Sequence, residues 1–77
     1  MQQRMVDVMI HIDESASSED REAIRDALLQ HDGVDAAAYH SDKPHLMMVE
    51  YNPDTVSAQD LLNTVKSCRV HAELIGL

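Results

Sequence analysis

The chain has 77 residues, enough for one small hydrophobic core and no second. Its 14 acidic against 6 basic residues leave a formal charge of −8, with the basic side chains scattered from Arg4 to Arg69, so nucleic acid and anionic membrane surfaces are excluded as natural partners. Cys68 stands alone, which rules out an internal disulfide, a four-cysteine zinc site and an iron–sulfur cluster, and with aromatic residues at only 3% the core must be built from Val, Ile, Leu, Ala and Met.

VDVMIHID (6–13) alternates, with Val6, Val8, Ile10 and Ile12 on one side and Asp7, Met9, His11 and Asp13 on the other, the period of a half-buried strand. Asp7 and His11 interrupt the apolar positions, so the stretch has no signal-peptide core. From Ser18 to His31 the spacing of Ile24, Ala27, Leu28 and His31 predicts a helix face, with Gly33 as its left-handed stop. VDAAAYH (34–40) is a second strand, SDKP (41–44) a turn, and HLMMVEY (45–51) a third strand that ends at NPD. A second helix runs over 58–68, with Leu61, Leu62 and Val65 on its inner stripe, and VHAELIGL (70–77) alternates as a fourth strand. Ser17 with Asp20, and Ser57 with Asp60, each form the pattern of a capping box, 40 residues apart. Two βαβ halves at that spacing predict a single α+β domain over 1–77. Its expected fold is a ferredoxin-like βαββαβ sandwich, a four-stranded antiparallel sheet with both helices on one face.

VEYNPDTVSAQDLLNTVKSCRVHAELIGL (49–77) resembles the second half of the heavy-metal-associated domain, the copper-chaperone and metal-ATPase module. The first strand, the Ile24/Leu28 helix face and Gly33-Val34 extend the resemblance over nearly the whole chain. That family holds its metal with Cys-x-x-Cys in the loop between first strand and first helix. Counting back from Gly33-Val34 places the two positions on Ser17 and Asp20, inside DESASSED (13–20). A hydroxyl and a carboxylate offer hard oxygens where Cu(I) demands soft sulfur, so the family's site is carried onto no residue here. The loop also lacks the ligand ladder and central glycine of a calcium loop. Acids in the first turn of a helix are favoured by its dipole, and DESASSED therefore reads as a helix cap.

The strand face that no helix covers is expected to carry Met9, His11, Ala36, Ala38, Leu46, Met48, His71, Glu73 and Ile75. So many apolar groups on a water-facing sheet suggest a contact surface, centred on Met9, Leu46, Met48 and Ile75, for a homodimer or another protein. The expected function is a non-catalytic interaction or self-association module. The alternative is metal-ion binding or transfer at a non-thiolate site, with His11 and His71 facing each other across neighbouring strands and Glu73 or Met9 assisting, for Zn(II), Ni(II) or Cu(II). A second place for histidine ligands is the rim where Asp13, Glu14, His40, His45 and Cys68 converge. No nucleophile–base set, phosphate loop or nucleophile elbow is present, so an enzyme is not expected. The longest apolar runs, AAAY and LMMV, are too short for a bilayer, and a cytoplasmic location is expected.

Overall fold

A computed structural model describes residues 5–12, 17–40, 43–68 and 70–75. Its elements follow the order β1 (Val6–Ile12), α1 (Ser18–Leu29), β2 (Val34–His40), β3 (Lys43–Tyr51), α2 (Ala58–Lys66) and β4 (Ala72–Ile75). The strands form one four-stranded sheet in the order β2-β3-β1-β4, with every described pairing antiparallel. This is the ferredoxin-like arrangement that the sequence predicts.

Both helices start as their sequences dictate. Ser17 Oγ accepts the Asp20 backbone N–H at 3.1 Å, and the Ser17 N–H donates to the Asp20 carboxylate at 3.3 Å. Ser57 and Asp60 repeat the pair at 3.0 and 3.2 Å. Hydrogen bonding to the Asp60 carboxylate, by the Ser57 backbone N–H first and the Ser57 side chain second, holds its pKa below the ordinary 3.8. The second cap therefore stabilises the fold above the usual aspartate range, and its contribution is lost as the pH falls below it. The first helix is capped by Gln30 in the right-handed conformation rather than stopped by Gly33, which lies three residues further on and at φ +90° turns the chain into β2.

The boundaries differ from expectation at four points, each with a local cause. Lys43 and Pro44 belong to β3 rather than to a four-residue turn, because Lys43 pairs with His40 across a shift in register. Pro44 lies beyond Leu46–His11, the last β1–β3 pair among the described residues, so its missing N–H interrupts no described β1–β3 bond. Within the described residues the fourth strand begins at Ala72 rather than at Val70 and runs to Ile75, residues 76 and 77 of the expected strand lying outside them. Ala72 already faces Ile12, the last described residue of β1, so among the described residues Val70 and His71 have no strand partner. The helices end at Leu29 and Lys66 rather than at 31 and 68, as the His31 N–H turns to Leu28 O and the Cys68 N–H to Val65 O, three residues back instead of four.

Val8, Ile10, Ile12, Met47, Val49 and Tyr51 line one face of the sheet and form a single core with Ile24 and Leu28 of α1, Val56, and Leu61, Leu62 and Val65 of α2. No polar side chain is buried among the described residues. Tyr39 joins the edge of this core. Its hydroxyl donates to Arg21 O at 3.0 Å, and the Arg21 guanidinium lies 5.8 Å from the ring centroid. Burial pushes the phenol up to about 12, so it stays a neutral donor that ties β2 to α1.

Candidate functional site

With one face committed to the core, the alternating pleat sends the remaining side chains of each strand to the opposite, helix-free face. The registers arrange them in three rows across the strands. The middle row is Ala38, Met48, Met9 and Ile75, with Ala38 opposite Met48, Met48 opposite Met9 and Met9 opposite Ile75. It crosses the whole sheet without a polar side chain. Met48 is 42% exposed and Ile75 39%, two of the three large exposed apolar side chains among the described residues. Lysine, threonine or glutamate would be ordinary at such positions.

On one side of this row lie Ala36, Glu50 and Asp7, paired in that order. An irregularity in β2 between Val34 and Ala36 lets Asp35 join them, its carboxyl close enough to that of Glu50 for a hydrogen bond when one of the two is protonated. That bond, desolvation and the negative charges of Asp7 and Asp35 together raise the pKa of Glu50. Three carboxylates thus crowd one end of the face.

On the other side lie Leu46, His11 and Glu73. His11 Nδ1 is 3.9 Å from Glu73 Oε1, and the His11 and His45 rings are 6.4 Å apart between centroids. The register sets Glu73, not His71, directly opposite His11. His71 is exposed, precedes β4 and stands two residues further along, on the diagonal. Of the anticipated rim, His45 is exposed and approaches His11, whereas Cys68 is half-buried against the core, its Sγ–H directed at Thr64 O at 3.7 Å. Asp13, Glu14 and the His40 side chain lie outside the described residues. Among the described residues no group of three or more His, Cys, Asp or Glu side chains is arranged to hold a metal ion.

The two positions onto which the sequence resemblance would place a Cys-x-x-Cys pair offer no soft donor. Ser17 Oγ and the Asp20 carboxylate are oxygen donors and are engaged in each other's backbone hydrogen bonds. Two features escaped the sequence. The carboxylate group was hidden because Asp35 reaches Glu50 only through an irregular strand. The His11–His45 approach was hidden because those residues belong to different strands and only the register relates them. The strand alternation did carry a signal for Asp7 and Glu50, which share the parity of Met9 and Met48.

No family model and no curated relative matches the chain. Its fold, by contrast, matches solved structures closely. The N-terminal domain of a potential copper-translocating P-type ATPase from Bacillus subtilis, in the Cu(I)-loaded state, superposes with a TM-score of 0.84 at 23% identity, covering 95% of this chain and 90% of that one. Oxidized MerP from Ralstonia metallidurans CH34 gives 0.83 at 12% identity, covering 95% and 100%. The yeast copper transporter domain Ccc2a gives 0.80 at 17% identity, covering 91% and 94%. The chain therefore has the fold of the heavy-metal-associated domains, as its sequence resemblance implies, at identities that establish the fold alone. No helix among the described residues is long and apolar enough to cross a membrane.

Proposed function

We propose that the protein is a non-catalytic binding module on a heavy-metal-associated scaffold from which the thiolate site is gone, and that it binds protein through the open face of its sheet. The supporting observation is the unbroken apolar row Ala38–Met48–Met9–Ile75. Methionine side chains adapt to the shape of a partner, and such a patch rimmed by charge is a usual mark of a contact surface. Met48→Lys puts a charge at the centre of that row, at a position open enough to leave the fold intact. It is expected to weaken self-association or the capture of a partner from host extract by about tenfold or more. If oligomeric state and capture are both unchanged, the open face is not the contact surface.

A second reading is favoured by the 3.9 Å approach of His11 Nδ1 to Glu73 Oε1. In it, a divalent Zn, Ni or Cu ion lies between these two side chains, with His71 on the diagonal or His45 from β3 completing the donors. Titrating tag-free protein with each metal while following backbone amide signals tests it. Shifts confined to the His11, His45, His71 and Glu73 neighbourhood at micromolar metal are the expected result. Their absence below about 1 mM removes this reading.

A further inference from the structure

We propose that the occupant of the open face is a second copy of this chain, stacked face to face about a two-fold axis that lies along the Ala38–Met48–Met9–Ile75 row. The inference rests on the reading of that face as a contact surface and names its partner.

The charge pattern of the rows carries it. Aligned sheets pack with their strand directions within about 30° of one another, which leaves two simple two-fold axes in the plane between the copies. An axis parallel to the strands and passing between β1 and β3 would set Asp7 of one copy against Glu50 of the other, twice. Carboxylate would then meet carboxylate at the end of the face where Asp35 already crowds Glu50. An axis along the apolar row reverses the strand direction and keeps each strand over its own counterpart. Met9 then meets Met9, Met48 meets Met48, and the two outer rows exchange. Asp7 comes over His11 of the other copy, and Glu50 over Leu46. Glu73 remains one strand aside, on β4. Asp7 of each copy thus faces an imidazole of the other, which can donate a hydrogen bond to it. The face is complementary to itself under this symmetry and opposed to itself under the other.

The size of the face sets the strength. Four strands at about 4.8 Å spacing, over about five residues each, give a flat footprint of roughly 300–400 Å² per copy, below the roughly 800 Å² of a standard interface. With the net charge of −8 on each copy also opposing contact, the dimer is weak and concentration-dependent. A dissociation constant between about 10 µM and 1 mM is expected.

Sedimentation equilibrium across that range, with isotope-filtered methyl contacts in a mixed-label sample, tests both the partner and the axis. The wild-type chain should dimerise and show contacts between Met48 methyl groups of the two copies. Asp7→Lys alone and His11→Glu alone should each weaken the dimer several-fold. An equimolar mixture should associate about tenfold more tightly than either variant alone. In the mixed dimer the ammonium introduced at position 7 of one copy faces the carboxylate introduced at position 11 of the other, while the remaining Asp7–His11 pair is intact. A wild-type chain that stays monomeric to about 1 mM overturns the inference. So does a dimer without Met48–Met48 contacts, or a mixture no tighter than its components. Should the monomeric chain still capture a partner that Met48→Lys loses, the contact surface stands and only the second copy is withdrawn.

Discussion

Replacing Ile10 with alanine is expected to destabilise the domain by about 2–5 kcal/mol, and Ile10→Val by about 0.5–1.5 kcal/mol. Ile10 is fully buried and lies on β1, between Met47 of β3 and Leu74 of β4. Strands hold it on both sides, so the backbone cannot close around the lost methyl groups, and the cavity term adds to the transfer term. A domain of 77 residues has a total stability of roughly 4–12 kcal/mol, so the alanine variant forfeits a large share of it. Urea unfolding followed by circular dichroism measures the effect, with the midpoint falling and the slope unchanged. An alanine variant within about 0.5 kcal/mol of the wild-type chain would show that the core is not centred on β1.

The same periodicity that buries Ile10 makes most of this fold legible in the sequence. Val6, Val8, Ile10 and Ile12 alternate without a break, and two serine-aspartate boxes mark where the helices begin. These signals are local, a side chain and its near neighbours in sequence, and so a single chain can display them. Parity also assigned Met9, Leu46, Met48 and Ile75 to the uncovered face. What parity cannot supply is register, a relation between strands. The sequence therefore suggests His71 as the neighbour of His11, whereas the ladder sets Glu73 opposite it and brings the His45 ring close. Asp35 is a further case. An irregular strand breaks the period of two, and a residue that alternation would direct elsewhere reaches Glu50. The extent of β4 depends likewise on where β1 stops, not on the alternation of VHAELIGL itself.

At Gly33, alanine is expected to cost about 2–4 kcal/mol, although only a methyl group is added. Two independent penalties combine. The backbone there has φ +90°, a conformation that side chains bearing a Cβ adopt at a cost of about 1–3 kcal/mol. A Cβ at this position would also stand 2.9 Å from Thr55 Cβ and 2.9 Å from Val56 Cγ1. Neither neighbour yields easily. Val56 is buried in the core, and the turn that carries both is fixed by the Thr55 and Val56 N–H groups donating to Asn52 O, while the Asn52 N–H donates to Gly33 O at 2.7 Å. The close approach thus locks the turn after α1 to the turn after β3. Asparagine separates the two penalties, since it tolerates the left-handed backbone better than alanine but carries the same Cβ. Thermal and urea unfolding should therefore place Gly33→Asn between the wild-type chain and Gly33→Ala, nearer to alanine. An asparagine variant as stable as the wild-type chain would show that backbone strain alone requires glycine here, and that the contact with Thr55 and Val56 relaxes at no cost.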